Sequence, residues 1–268
     1  MAMADDSKYG TLWLRDELVL ALYLYCQIPF AKTKANNPEI IQLADFLGRT
    51  PSSVARKLGD FGAFDPLLAQ KGIVGLVHHS KADLEIWNEF YQHWDRLVEA
   101  SQNVLAGKDA VSVQVMEMET VVPLLDPALT IPTRPTSQPK MVMTRLYQSF
   151  FRKAVLSSYQ NSCCMCGTDV PQLLIASHIK PWALSEETRT DPENGLCLCV
   201  LHDKAYDRGL MTVTAEYTIR VSSSIRNSKV HFVRTSLAAF EEQQIVPPRR
   251  FAPKPEYLNW HLSEVFQA

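Results

Sequence analysis

The stretch from Cys163 to Gly209 constrains this chain more than any other. Five of the six cysteines fall between Cys163 and Cys199, and three polar residues sit there in fixed apolar settings. His178 follows the apolar run LLIAS, Asn194 sits in the turn DPENG, and His202 opens the segment HDKAYD. Leu173 to Ser177 reads as a buried strand that delivers His178 to the point where the chain emerges toward solvent. His202 lies in the first turn of the helix expected after it. An imidazole suits proton transfer because its unperturbed pKa, about 6.5, leaves much of it neutral at cellular pH.

The wording ASHIKPW, DPENGLCL and LHDKAYDRGL resembles the HNH form of the ββα-metal nuclease module. It resembles more closely still the predicted restriction-endonuclease branch, which also supplies the cutting domain of some antiphage effectors. The likeness covers residues 144–224. It implies a metal-dependent DNA endonuclease that leaves 5′-phosphate products and restricts foreign DNA. By that resemblance His178 is the general base and His202 holds a divalent ion, Mg²⁺ or Mn²⁺. Asn194 ties down the loop between them and contributes to the metal site. Phosphodiester hydrolysis needs such a base, and a cation for the charge on the leaving oxygen.

One position departs from the pattern. Many HNH enzymes carry an acid just before the base histidine, whereas this chain has Ser177; Asp203 and Asp207, beside His202, are the carboxylates able to compensate. The rival reading is a non-catalytic DNA-binding or regulatory protein built on a degenerate HNH fold. Cys163, Cys166, Cys197 and Cys199 form two pairs, as in HNH modules that hold a structural zinc, although the second pair is Cys-x-Cys. The alternative for these thiols is burial as small hydrophobes.

Composition bounds the rest. The 268 residues are 46% hydrophobic and 21% charged, with a formal net charge of −2, the balance of an ordinary globular protein. A nuclease needs only a local positive face, so the near-neutral total is compatible with DNA as the partner. No apolar run approaches a membrane span, and MAMADDSKYG lacks the basic start and apolar core of a signal peptide. The expectation is a cytoplasmic protein without membrane association. Its oligomeric state, a homo-oligomer included, is open.

Upstream, residues 11–28 place Leu14, Leu18, Ala21, Leu22 and Tyr25 at helical spacing. Asn37-Pro38 opens a second helix that Gly48 ends; Thr50 and Pro51 then cap and start a third. IIQLADFLGRTPSSVARKL thus resembles a helix-turn-helix, with Arg49, Ser52, Ser53, Arg56 and Lys57 on the outer face. Arg56 and Lys57 are the DNA-binding candidates there. The alternatives are a helical bundle whose third helix merely packs, and a sensor or docking domain that switches the other half on. Residues 81–105 read as one long amphipathic helix. The adjacent His78 and His79 lack cysteine or carboxylate partners, the pattern of loop residues.

From Gly107 to Met143 prolines punctuate the chain, and VSVQVMEMETVVPLL alternates as a strand or two would. Downstream, TRLYQSFFRKAVLSSY is a helix, and six basic residues against one acid between Arg134 and Lys180 form the best phosphate-tracking face. Arg152 is the first choice within it. GLMTVTAEYTIRVSSS reads as a hairpin, and the tail as a proline-rich crossing followed by a helix with His261 at the core edge. Arg249 and Arg250 are further DNA-binding candidates. The expected fold class is α+β: a helical N-terminal domain (1–106), a proline-rich connector (107–143) and a ββα-metal HNH nuclease domain (144–268).

Overall fold

The computed structural model describes residues 11–72, 79–107, 139–184 and 187–268. The expected connector strands, and His78 of the histidine pair, lie outside the described residues.

Helix α1 (Arg15–Gln27) is the axis of the N-terminal half, buried continuously from Glu17 to Cys26. A helix apolar on every side has to be surrounded. Helices α2 (Pro38–Leu47), α3 (Pro51–Gly62), α5 (Lys81–Phe90) and α6 (Trp94–Gly107) supply the surround, with the short α4 (Pro66–Gln70) between α3 and α5. Asn37 and Thr50 cap α2 and α3 through their side chains, and Gly48 ends α2 in the left-handed region at φ 66°. These are the local signals in the sequence.

Two expectations need correction. The single helix over 81–105 is two, broken at Tyr91–His93, where Gln92 has φ 66°. The two parts of its apolar stripe meet different neighbours: α5 packs on α1 and α3, α6 on α1 and the helix after the connector. Lys57 and Arg49 do not point outward either. The Lys57 ammonium is buried between Asp83 (2.8 Å) and Asp60 (3.3 Å), and Arg49 is buried against Glu17 (2.6 Å). Buried acids at Glu17, Asp60 and Asp83 require buried cations, because an unpaired buried charge is costly.

Helix α7 (Pro139–Ser158) joins the two halves. Phe150 and Ala154 belong to the helical core, whereas Phe151 and Val155 belong to the second core. That second core holds strands β1 (Leu174–His178) and β2 (Gly195–Cys199), antiparallel with His178 opposite Gly195. Helix α8 (Val200–Asp207) follows β2 directly, completing a ββα unit. Gly195 is required by packing: a Cβ there would lie 2.3 Å from Val155 Cγ2 and 3.0 Å from Phe151 Cζ. A hairpin of β3 (Met211–Val213) and β4 (Ile219–Val221), small helices α9 (Ser223–Arg226) and α10 (His231–Ser236), and α11 (Pro255–Glu264) complete the chain.

Arg250 is fully buried, so it is not a surface contact for DNA. Its guanidinium donates to the carbonyls of Tyr25 and Ile28 and to Ser157 Oγ, and lies 4.5 Å from the centre of the Tyr25 ring. A residue of the tail therefore closes the end of α1.

Candidate functional site

Two clusters flank the β1–β2 sheet. The first is built from a knuckle and a helix start. The turn after α7 closes through Cys163 N–H to the Thr168 carbonyl and Gly167 N–H to the Cys163 carbonyl, with Gly167 at φ 76°. This brings Cys163 and Cys166 together. Cys199 is the N-cap residue of α8, and His202 comes round one turn later. The ligand atoms of Cys163, Cys166, Cys199 and His202 all lie within 4.8 Å of one another. His202 Nδ1 is 3.3 Å from Cys199 Sγ and 3.6 Å from Cys163 Sγ. Its Nε2 donates to the Ser236 carbonyl at 3.1 Å, which leaves the Nδ1 lone pair aimed at the thiols. The hydrogen bond from Cys163, with His202 nearby, holds the Cys199 thiol well below its ordinary range. Three sulfurs and one imidazole nitrogen are a donor set that fits Zn²⁺.

The expected four-cysteine set is thereby corrected. Cys197 lies outside the cluster, because two residues back along an extended strand is some ~6–7 Å away. The helical turn brings His202 to Cys199 instead.

The second cluster surrounds His178. Its ring stacks on Phe151 at 3.7 Å and meets Trp182 edge-on at 5.7 Å. Nε2 donates to the Arg189 carbonyl at 3.1 Å, so the basic lone pair is on Nδ1. Burial lowers the His178 pKa, partly offset by that hydrogen bond. The imidazole is therefore neutral at cellular pH, the form a general base requires.

Asn194 is fully buried and committed to backbone. Its Oδ1 accepts from Lys180 N–H at 2.8 Å, and its Nδ2 donates to the carbonyls of Lys180 (3.0 Å) and Thr188 (3.2 Å). It ties down the loop that carries Arg189 and so holds His178 in place. Both amide hydrogens of Asn194 are donated to this loop, and its oxygen accepts one bond there while keeping a second lone pair.

His202, expected as the nuclease metal ligand, has one nitrogen on the thiol cluster and the other on Ser236. Neither is left for a second ion. The neighbouring Asp203 is the carboxylate on the sheet side of α8. Burial, and next to it Asp207, raise its pKa to about 6, and the Ser177 hydroxyl beside it draws it partly back. Ser177 Oγ is buried and makes no hydrogen bond of ordinary length, though its neighbour is this carboxylate. The carboxylate and the hydroxyl are hard oxygen donors, the type that Mg²⁺ or Mn²⁺ takes. The signal in the sequence was the serine where an acid is usual, with Asp203 adjacent.

Of the remaining DNA-binding candidates, Arg56 is exposed on α3, while Arg152 is half-buried beside Cys197. Among the described residues no helix is long and apolar enough to cross a membrane. No curated protein matches the chain. Residues 163–214, which carry the thiol cluster, His178, Asn194 and Asp203, match the family model described as HNH endonuclease.

Proposed function

We propose that the protein is a metal-dependent DNA endonuclease that cuts foreign duplex DNA. The observation that carries this reading is the oxygen pair Asp203–Ser177, its serine adjacent in sequence to a neutral, tautomer-fixed His178. His178 takes a proton from water at Nδ1, and the water attacks phosphorus in line. Arg189, through its carbonyl, and Asn194, through the loop, keep the imidazole oriented as the proton arrives. Asp203, with the Ser177 hydroxyl, holds the divalent cation, which when bound supplies charge for the departing 3′ oxygen. Cys163, Cys166, Cys199 and His202 hold a structural zinc that pins the start of α8, and with it Asp203.

This reading moves His202 from the divalent-ion site, where the resemblance puts it, to the zinc cluster, and gives the divalent ion to Asp203. The test is plasmid cleavage with and without added Mg²⁺ by protein retaining its zinc. Wild type should nick or linearise the plasmid only with Mg²⁺ or Mn²⁺. His178→Ala should lose about 10²–10⁴-fold in rate. Asp203→Asn should lose comparable activity while keeping its zinc. Cleavage by wild type that ignores Mg²⁺, or by Asp203→Asn at the wild-type rate and metal dependence, would overturn the assignment.

A further inference from the structure

Lys180 is a cation two residues beyond the proposed base. Strand-like alternation continues one step past β1: Ile179 N–H donates to the Asn194 carbonyl at 2.9 Å and its side chain is buried. Lys180 follows at once, two residues beyond His178. Its N–H and C=O are both fastened to the Asn194 amide, so its Cα cannot shift without Asn194. The ammonium lies 5.6 Å from the centre of the Tyr257 ring and 5.9 Å from that of Trp260. Two aromatic faces order the long side chain without neutralising it.

The surrounding charges complete the arrangement. Asp191 and Glu193, on the adjoining turn, are the acids that would otherwise compete. Lys254 occupies both, at 2.8 Å and 3.2 Å, and the Tyr257 hydroxyl donates to Asp191 at 3.1 Å. Among the described residues Lys180 has no carboxylate at ion-pair distance. An ordered, half-exposed ammonium close in sequence to the proposed base is a receptor for a backbone phosphate.

We propose that Lys180, seated on the Tyr257–Trp260 ledge, grips a phosphate of the substrate strand next to the scissile bond. The proposal rests on the endonuclease reading above, and makes Lys180 a substrate-positioning residue and Trp260 its support. The ligand is the DNA backbone phosphate, irrespective of base.

The test is fluorescence anisotropy of full-length protein on a short duplex across a salt series, in a His178→Ala background that leaves the duplex intact. Lys180→Gln should lower the slope of log affinity against log salt by about 0.9, the share of one phosphate contact. Lys180→Arg should restore it. Trp260→Leu, which keeps the charge and removes the seat, should weaken binding a few-fold with the slope unchanged. In the cleaving protein, Lys180→Gln should raise KM more than it lowers kcat. An unaltered slope in Lys180→Gln, with wild type cutting plasmid, sinks the phosphate grip and leaves the nuclease standing. A reduced slope without wild-type cleavage keeps the grip and sinks the nuclease. Binding that ignores salt sinks both.

Discussion

At the scale of single residues, the adjacent His202 and Asp203 lie in different surroundings. The imidazole belongs to a thiol-rich cluster whose donors fit zinc, and the carboxylate lies beside the Ser177 hydroxyl; in the proposed reading they serve different metals. We expect about one zinc per chain by elemental analysis. Cys199→Ser or His202→Ala should lower that content and the melting temperature, whereas Cys197→Ser should leave zinc unchanged. Zinc loss in Cys197→Ser would restore the four-cysteine set. His261 offers a second check at this scale. It is buried, stacked on Tyr206 at 3.7 Å, with Nδ1 accepting from Thr212 and Nε2 donating to the Tyr206 carbonyl. Burial depresses its pKa to about 4. The unfolded chain binds this proton near pH 6.5, so stability is full above that pH and falls as pH drops toward 4. The loss is at most about 3 kcal/mol. Urea unfolding at pH 7 and pH 4.5 should show it, and His261→Gln should flatten the difference; an equal pH dependence in that variant would assign the effect elsewhere.

At the scale of elements, helix α7 decides where the imidazole sits. Its Phe151 stacks on His178, and its Val155 closes over Gly195, the residue opposite His178 on β2. Gly195→Ala places a methyl inside the Val155 contact. We expect a loss of about 1–3 kcal/mol from overpacking, and a fall in cleavage rate as α7 is pushed off the sheet. Val155→Ala in the same protein removes the colliding Cγ2 and should recover part of both. Independent, additive effects of the two substitutions would mean that they do not meet.

At the scale of the whole molecule, the helical half and the C-terminal half share material. Phe150 and Ala154 of α7 lie in the helical core, Tyr91 donates to Glu193 at 3.4 Å, and Arg250 closes the C-terminal end of α1. A fragment starting at Pro139 exposes the apolar face of α7, so we expect it to be far less stable than the full chain and prone to aggregate. Arg250→Ala leaves the carbonyls of Tyr25 and Ile28 without their donor, in a buried setting. The expected cost is about 2–4 kcal/mol, read as a lower midpoint of cooperative unfolding of both halves. A soluble fragment as stable as the intact protein would show that the halves fold separately. The helix-turn-helix reading of α2–α3 now rests on Arg56 and neighbouring serines, since Lys57 and Arg49 are consumed inside the bundle. A sensing or docking role for that half fits this geometry equally well.

Local chemistry written in short words was legible without coordinates. The caps at Asn37, Thr50 and Gly48, the strand ending in His178, the turn at Asn194 and the helix with His202 in its first turn all depend on neighbours a few residues away. Partner choice was not legible, because it depends on which side chains arrive from distant segments. Lys57 looks like a surface base until Asp83, 26 residues on, meets it inside the core. The stripe over 81–105 keeps helical spacing through Gln92, yet its two halves pack on different neighbours and the chain breaks between them. His202 reads as the metal ligand of a nuclease until Cys163, from 39 residues upstream, and the Ser236 carbonyl, from 34 downstream, claim its two nitrogens. Residue types and their spacing made the HNH resemblance readable. Which donors meet was decided by folding, since a ligand set is a property of distances in space and not of order along the chain.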